Sequence, residues 1–353
     1  MNQQQKSLRV GITALLIALV FRLFSPDLMG RILDVLTQPD TVAFLIYAET
    51  GRHVRFSPGG EILPEEVPGL SLGFAESPAP RAQEPVIPAF GDTSLVSLTY
   101  GCSFRPDVEA LLKEPLLWDL TGPEPRVLIY HTHTTESYAK GIQDYAETAP
   151  YRTLDPYYNV SAIGDRVTEI LEQAGIGVIH DREVHDYPDY NSSYMHSRRQ
   201  EQKILREHPG ILLALDIHRD AVEGPGGQIG TYANVGGSTA AQLMIVVGTN
   251  SRLPHRNWPQ NLSLGLKLHA QLETQTPGIV RPLCLRPQRF NQDLCPGGLL
   301  IEVGAAGNTR QEALLAAEQL GKAIVALASG TAPVTEDPET SQADPPAVPA
   351  GDF

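Results

Sequence analysis

Imidazole and carboxyl side chains stand at the ends of three short apolar runs in the 353-residue sequence. The three segments are Val127–Tyr130 followed by His131-Thr132-His133-Thr134-Thr135-Glu136, Ile211–Ile217 followed by His218-Arg219-Asp220, and Leu299–Val303 with Glu302 near its end. Two imidazoles and a carboxylate can hold Zn2+ while water takes the fourth position, and a second carboxylate can accept the proton of that water. The residue types therefore indicate metal-assisted hydrolysis.

Each group has a first assignment within that chemistry. We predict His133 and His218 as imidazole ligands, Glu136 as the carboxylate ligand and Glu302 as the general base. Glu302 lies inside an apolar strand, where a carboxylate needs a cation to offset its desolvation. His131 is the alternative ligand, or else hydrogen-bonds behind the site, depending on where the strand stops. The spacing matches no known zinc signature such as HExxH, so hydrogen-bonded structural roles for the histidines stay open.

The segments between these sites predict the elements that position them. Apolar runs of strand length alternate with segments of helical period, which is typical of an α/β domain with a mostly parallel sheet flanked by helices. The predicted strands are Val127–Tyr130, Ile176–Ile179, Ile211–Ile217, Leu243–Gly248 and Leu299–Val303, and the predicted helices are Asn159–Ala174, Tyr194–His208, Leu262–Leu272 and Arg310–Ala328. Functional groups of such sheets gather beyond the carboxyl ends of the strands, so the three segments are expected to converge.

Composition limits the class of protein. Hydrophobic residues make up 42% of the chain and charged residues 19%, which is ordinary globular composition. Lys and Arg number 27 against 41 Asp and Glu, a net charge of −14, which argues against a nucleic-acid binder. Three cysteines, Cys102, Cys284 and Cys295, are too few for a disulfide scaffold, and we expect three buried thiols, with a single bridge as the alternative.

The two ends of the chain differ from the middle. Lys6 and Arg9 precede an apolar run over residues 10–21, which predicts a signal anchor or short transmembrane helix over residues 1–26. A cleaved signal and a buried or interfacial helix are the alternatives. Residues 27–120 are expected to form an extracytoplasmic region and a Pro-rich linker with little packed structure, and residues 121–330 the catalytic domain. The tail, residues 331–353, has almost no large apolar side chain and is expected to be disordered.

The ordered set of motifs closely resembles the stage II sporulation protein P family over about residues 126–329. The motifs that carry the resemblance are Val127–Tyr138, Tyr190–Tyr194, Asp216–Asp220, Asn257-Trp258, Asn291–Leu294 and Leu300–Gly304. An N-terminal anchor followed by a variable linker also suits that family.

The resemblance implies a membrane-anchored peptidoglycan hydrolase of endospore-forming bacteria. Members look like zinc-dependent N-acetylmuramoyl-L-alanine amidases that also cleave peptide cross-links. They act in septal wall remodelling and forespore engulfment, together with the stage II sporulation proteins D and M. The implied location is the septal or engulfing cell membrane, with one membrane span and the catalytic domain outside the cytoplasm.

The resemblance also assigns residues. The pattern of the wider amidase group falls on His133, His218 and Glu302. Its Glu ligand lies well after the first His, so that Glu147 or Asp155 would fit the longer spacing, whereas Glu136 is the nearest carboxylate of the motif.

Polar side chains around the motifs are expected to hold a glycan that bears peptides. The predicted substrate-binding residues are Tyr138, Tyr190, Asn191, Tyr194, Asn291 and Gln292. Arg219 is predicted to act in catalysis, by orienting a substrate carboxylate or stabilising the tetrahedral oxyanion. Two other functions stay open: a metallo-exopeptidase acting on free peptides, and a non-catalytic scaffold that binds the wall. No Gly-x-Ser-x-Gly elbow follows a strand, which argues against a serine hydrolase.

Overall fold

The computed structural model describes residues 55–56, 62–63, 87, 89–116, 118–140 and 146–330. The chain divides into two units, residues 1–79 and 80–353. In the first, β1 (Arg55–Phe56) and β2 (Ile62–Leu63) form an antiparallel pair. The predicted anchor and the predicted disordered tail lie outside the described residues. Within the described ranges, no helix combines the length and the apolar character needed to cross a membrane.

The second unit is built around a seven-stranded sheet. Its strands and the short hairpin strands between them are β3 (Leu98–Tyr100), β4 (Gly122–Tyr130), β5 (Ile176–His180), β6 (Leu213–Asp220), β7 (Glu223–Gly224), β8 (Gly227–Gln228), β9 (Tyr232–Val235), β10 (Ser238–Ala241), β11 (Leu243–Gly248), β12 (Leu283–Arg286) and β13 (Gly297–Ala305). The order in the sheet is β3-β12-β11-β13-β6-β4-β5. Every neighbouring pair is parallel except β11 and β13. The predicted mostly parallel α/β sheet is confirmed.

Within the described residues, five α-helices accompany the sheet. They are α1 (Val108–Lys113), α2 (Ser161–Gln173), α3 (Ser193–Glu207), α4 (Trp258–Gln275) and α5 (Arg310–Ala328). The four predicted helices correspond to α2 through α5. A capping box begins α5, because Thr309 accepts from the Glu312 backbone while the Glu312 side chain accepts from the Thr309 backbone, which satisfies donors that the first turn leaves free.

The two faces of the sheet have different covers. In β6, Leu213, Leu215 and Ile217 point into the large core that also contains residues of α2, α4 and α5. The alternating residues of β6, among them Asp216 and His218, point to the other face, because successive side chains of a strand alternate. There α3 packs through Ile204 on a smaller apolar cluster that covers only part of the face. The polar ends of the strands therefore open on the face that α3 leaves partly uncovered.

The structure places the start of the folded domain earlier than the predicted boundary at residue 121. Leu98–Tyr100 pairs in parallel with β12, and Ile87, Leu112 and Leu116 are buried in the main core. The described residues between 87 and 120 thus belong to packed structure, whereas we expected residues 27–120 to form an extracytoplasmic region and a linker. The local pattern was uninformative because β3 has only three residues and its partner strand lies more than 180 positions along the chain.

The three cysteines are free thiols, as the sequence predicted. Cys284 and Cys295 are buried and belong to different apolar clusters, while Cys102 is half-buried. They act as small apolar side chains.

Candidate active site

The carboxyl ends of β4, β6 and β13 meet at one edge of the sheet. His218 of β6 is paired in register with Glu302 of β13, and Tyr130 at the end of β4 with Asp216 of β6. Paired residues of neighbouring strands point to the same face, so His218 and Glu302 stand side by side. A pocket of about 320 Å³ lies over them. Its polar lining is His133, Glu136, Tyr194, His218, Arg219, Asp220, Arg286, Gln288 and Glu302. The convergence expected from the sequence is present.

His133 enters the pocket from the turn that follows β4. Its ring stacks on Tyr190 with centroids 4.5 Å apart, and meets His218 edge-on at 5.3 Å. Burial lowers the pKa of His133 to about 4, so the ring is neutral at pH 7. Its Nδ1 atom is buried without a hydrogen-bond partner. A neutral imidazole with an unused buried nitrogen has the chemistry of a metal ligand.

His218 lies between two carboxylates. Its Nδ1 is 3.3 Å from Glu136 Oε2, and its Nε2 is 2.9 Å from Asp216 Oδ1 without hydrogen-bond alignment. Burial alone would lower the pKa of His218, but Asp216 and Glu136 outweigh it and hold that pKa well above its usual range. Asp216 is itself fixed, because the backbone N–H and the hydroxyl of Thr132 donate to it at 2.8 and 2.7 Å. Thr132, just after β4, thus fixes Asp216, which in turn holds the His218 imidazole on β6.

Glu136 is buried and held by two arginines. The backbone N–H of Arg219 donates to its Oε2 at 3.2 Å, and guanidinium nitrogens of Arg219 and Arg152 lie 3.5 and 3.4 Å from its Oε1. Burial raises the pKa of Glu136, but Arg219 and His218 outweigh that effect and hold it well below its usual range. The carboxylate is therefore ionised and aimed at His218.

The two other carboxylates considered for the ligand lie elsewhere. Glu147 lies 3.4 Å from Lys140 and accepts a hydrogen bond from the Tyr151 backbone. Asp155 is exposed and accepts from the backbone of Tyr157. Neither lines the pocket. The structure brings Glu136, and not these two, to the imidazoles.

Glu302 is the second carboxyl of the pocket. Burial raises its pKa to about 8, against the opposing effect of His218. Its Oε2 atom is buried and has no hydrogen-bond partner. A carboxyl group whose pKa is near neutrality can both accept and return a proton, which is the requirement for general acid–base catalysis.

Arg219 is fixed by groups of the protein. Its Nε donates to the Ser137 carbonyl at 3.1 Å and its Nη2 to the Tyr151 carbonyl at 3.0 Å, while Nη1 faces Glu136. The guanidinium is buried, and it also lines the pocket. Arg219 therefore positions the Glu136 carboxylate, while its contact with an oxyanion or a substrate carboxylate stays a prediction.

The predicted substrate-binding residues divide into two groups. Tyr194 lines the pocket, and Tyr190 is exposed and stacks on His133. Asn191 is also exposed but lies outside the pocket lining. These three can be reached from solvent near the site.

The others are buried under the site, although we predicted substrate contacts for them. The hydroxyl of Tyr138 donates to the Val303 carbonyl at 2.9 Å. The Asn291 amide donates to the Tyr194 carbonyl, and the Gln292 amide bridges the Val246 carbonyl and the Gly248 N–H of β11. Because these polar atoms are bound to protein groups, the three residues support the walls of the site.

His131 is also buried, behind the pocket. Its Nδ1 is 2.9 Å from the Ile217 carbonyl and its Nε2 is 2.8 Å from His180 Nε2. It does not line the pocket. Of the two histidines that follow β4, the structure therefore turns His133 towards His218, and His131 ties β4 to β6.

Several residues that contribute to the site could not be predicted, or could hardly be predicted, from the sequence. Arg152 pairs with Glu136 across 16 positions without any periodic pattern. Met244 and Arg286 reach the pocket because β11 lies next to β13 and β12 lies next to β11, an order that the sequence does not reveal. Asp216 could have been found, since an acid two positions before His218 in an apolar strand must share its face.

The donor set fits a zinc ion in its chemistry. Two imidazoles and an ionised carboxylate face one pocket, and His133 Nδ1 and His218 Nε2 are buried without aligned hydrogen-bond partners. In the part of the chain that the structure describes, no three His, Cys, Asp or Glu side chains already stand in a metal-binding arrangement. Asp216 and Glu136 hold the pKa of His218 well above its usual range, so this ring must release a proton before it binds a metal ion.

Comparison with known proteins identifies the family. The family described as stage II sporulation protein P matches residues 81–325 of this chain. The chain belongs to the stage II sporulation protein P family. The match begins well before residue 121, in agreement with the packing of residues 87–120. The chain is also 30% identical over 203 residues to stage II sporulation protein P of Bacillus subtilis (strain 168), which covers 54% of this chain and 48% of that protein. It thus spans about half the length of that curated relative.

Two solved structures are similar to this chain at low identity. N-acetylmuramoyl-L-alanine amidase AmiC2 of Nostoc punctiforme is 13% identical, with a TM-score of 0.36, and the match covers 60% of this chain and 98% of that one. The CwlD amidase from Clostridioides difficile, solved in complex with the GerS lipoprotein, is 15% identical with a TM-score of 0.36, covering 58% and 96% of the two chains.

Proposed function

We propose that this member of the stage II sporulation protein P family is a zinc-dependent peptidoglycan hydrolase. The bond proposed for cleavage is the amide between N-acetylmuramic acid and the L-alanine of the peptide stem, and peptide cross-links are a second target. The observation that carries the proposal is the convergence of His133, Glu136, His218 and Glu302 in one pocket. Membership of the family supports a role in sporulation.

His133, His218 and Glu136 would hold the zinc ion. When bound, zinc supplies Lewis acidity to water and to the carbonyl of the amide. Asp216 and Thr132 keep the His218 ring in place, and Arg219 and Arg152 keep Glu136 ionised and directed at the imidazoles.

Glu302 moves the proton. Its carboxylate takes a proton from the attacking water and returns it to the leaving amine, so that one residue serves as base and then as acid. Burial favours the transfer, because a carboxyl with a raised pKa is a stronger base than one in water and also a usable acid near pH 7.

The cellular setting is proposed from the family resemblance and from the N-terminal sequence. The chain would be held in the septal or engulfing membrane by residues 1–26, with residues 80–330 outside the cytoplasm. The stage II sporulation proteins D and M would be its partners during engulfment.

Replacement of Glu302 tests the reaction. We expect Glu302→Gln to reduce the digestion of purified sacculi at least 100-fold while zinc content stays at one ion per chain, because the amide cannot accept the proton. Dye release from labelled sacculi and metal analysis measure the two quantities. Glu172→Gln, an exposed change on α2, is the matched control and should keep full activity. Full activity of Glu302→Gln would remove Glu302 from the mechanism.

Replacement of His218 tests the metal site. His218→Ala should lose both zinc and activity, whereas His208→Ala at the end of α3 should keep both. Stoichiometric zinc in His218→Ala would refute the ligand assignment.

Mass spectrometry of the products distinguishes the proposed function from the two others. Cleavage of soluble peptides alone would indicate an exopeptidase, and binding of sacculi without any product would indicate a scaffold.

A further inference from the structure

A row of basic side chains lies on α3, outside the pocket. Arg199, Lys203 and Arg206 follow His196 at intervals of three, four and three residues, which places all four on one face of the helix. At 1.5 Å per residue the row is about 15 Å long. Together with Glu183, Val184 and Tyr187 from the facing loop, it lines a groove of about 560 Å³, called here the basic groove.

The charge of the basic groove contrasts with that of the chain. Arg199, Lys203 and Arg206 are exposed, and within the described ranges no carboxylate lies at ion-pair distance from any of them. Glu183 is the acid in the lining. In a protein with a net charge of −14, three unpaired cations on one helix face form a local site for an anionic ligand.

The basic groove and the pocket share structural elements. Tyr194 lines the pocket and His196, two residues later on α3, lines the groove. Tyr190 stacks on His133 in the site, and Tyr187 of the same segment is half exposed in the groove. The pocket, at about 320 Å³, is at the small end of ligand sites and can hold only a fragment of a polymer. A polymeric substrate must therefore continue over the neighbouring surface.

We propose that the basic groove binds the carboxylates of peptide stems on the same wall polymer whose amide lies in the pocket. This inference rests on the proposed function. Stem peptides carry free carboxylates, and guanidinium and ammonium groups along a groove match such a chain in the sign of their charge. Tyr187 and Val184 supply apolar contact beside them. The groove adds affinity for long substrates and does not take part in bond cleavage.

Charge removal in the groove is the test. In the full-length chain, Arg199→Gln, Lys203→Gln and Arg206→Gln are combined, and binding to sacculi is measured by co-sedimentation in the Glu302→Gln background. We expect the dissociation constant to rise about tenfold at low salt, and the difference to shrink at high salt because exposed charges are screened. In the active background, KM for sacculi should rise while hydrolysis of a single-stem muropeptide stays within twofold.

A matched variant controls for net charge. Arg252→Gln, Arg256→Gln and Lys322→Gln removes three exposed cations that line neither the groove nor the pocket, and it should bind sacculi like the wild type. Equal binding by the groove variant and the wild type would overturn the inference and leave the proposed hydrolase intact. Co-sedimentation measures binding in the Glu302→Gln background and does not depend on catalysis. A protein that binds through the groove but releases no product in the active background would therefore contradict the proposed function alone.

The nature of the anion is tested separately. Hydrofluoric acid removes phosphate polymers from sacculi, and the wild type should still bind such sacculi more tightly than the groove variant does. The two proteins should bind equally to sacculi whose carboxylates have been amidated. Loss of discrimination on removal of phosphate would overturn the assignment to stem carboxylates. Discrimination found only with anionic phospholipid vesicles would do the same.

Discussion

Two carboxyl groups of the pocket have pKa values that move in opposite directions. Glu136 faces Arg219 and His218 and stays ionised, while burial raises the pKa of Glu302 to about 8 and outweighs the opposing charge of His218. Surroundings that move the pKa values of two acids in opposite directions give the acids different roles. Here one is a fixed negative charge and the other is a group that exchanges protons. The arginines around Glu136 therefore matter as much to the site as the carboxylate itself.

A third acid, Glu201, is buried on α3 at some distance from solvent. It is 1% exposed, and its carboxyl group lies near the Tyr130 hydroxyl but has no well-aligned hydrogen bond. Burial raises its pKa well above the usual range, and the charge of Asp216 raises it further. The folded state thus keeps a proton that the unfolded chain releases. The stability that this proton contributes is fully present below the pKa of Glu201 in the unfolded chain, and it is lost as the pH rises through the pKa of Glu201 in the folded protein.

Glu201→Gln should therefore stabilise the protein more at pH 8 than at pH 5. The amide has nearly the same shape but nothing to ionise, and each unit of pKa difference is worth about 1.4 kcal/mol. Thermal unfolding of both proteins at the two pH values measures the effect. Glu207→Gln, an exposed change on the same helix, is the control, and a gain for Glu201→Gln that is equal at both pH values would contradict the explanation.

At the level of elements, α2 approaches the strand ends closely at one residue. A Cβ atom at Gly164 would lie 2.8 Å from His131 Nε2 and closer still to His180 Nε2. The two rings are held in contact, and His131 is also bound to the Ile217 carbonyl next to His218. Glycine at this position lets the helix pack against the pair that ties β4 to β6.

Gly164→Ala should cost about 1–3 kcal/mol of stability, because the two rings are held by contacts with each other, with the Ile217 carbonyl and with Asp165. Chemical denaturation measures the loss, and activity on sacculi should fall as His218 shifts. Gly226→Ala is the matched control, since nothing lies within 4 Å of an added Cβ there and the backbone angle is ordinary. Equal stability of the two variants would show that the helix can move away at little cost.

The single antiparallel pairing in the main sheet also shapes the site. Because β11 runs against β13, Met244 at its start lies opposite Glu302 near the end of β13. An apolar side chain on that side leaves Glu302 without a charged neighbour from β11, which keeps its surroundings poorly solvated. The change of strand direction thus contributes to the raised pKa of the base.

For the whole molecule, the segment before residue 121 is part of the folded domain. Five of its apolar side chains are buried: Ile87, Phe90, Leu112, Leu116 and Leu120. The buried Lys267 of α4 donates to the Leu112 carbonyl, so removal of the segment would also leave an ammonium group without its partner. The segment closes one side of the core.

A fragment that begins at residue 121 should therefore fail to fold, whereas one that begins at residue 80 should fold. Each buried large apolar side chain is worth about 1.5–3 kcal/mol, against about 5–15 kcal/mol for the stability of a whole domain. Circular dichroism melts and limited proteolysis of the two fragments measure the difference. A cooperative transition of the shorter fragment at the same temperature would restore the predicted boundary.

The sequence was informative where a signal is local. Runs such as Leu243–Gly248 and the helix Arg310–Ala328 have the periods of their elements, and the structure has them at the same bounds. The strands Leu98–Tyr100 and Leu283–Arg286 were missed, because three or four residues carry no usable period and pairing with a distant segment defines them. The same reason hid Arg152, whose only signal is contact with Glu136 after folding.

The order of residues along the chain determined the chemistry available: imidazoles and acids placed at the ends of apolar strands, and a family that those motifs identify. Only the tertiary structure decided how the groups are used. Register placed His218 beside Glu302, a turn placed Glu136 rather than Glu147 there, and carbonyl groups of residues 137 and 151 took up the donors of Arg219. Such choices depend on contacts between residues about 70 to 80 positions apart, and these contacts exist only once the strands are paired.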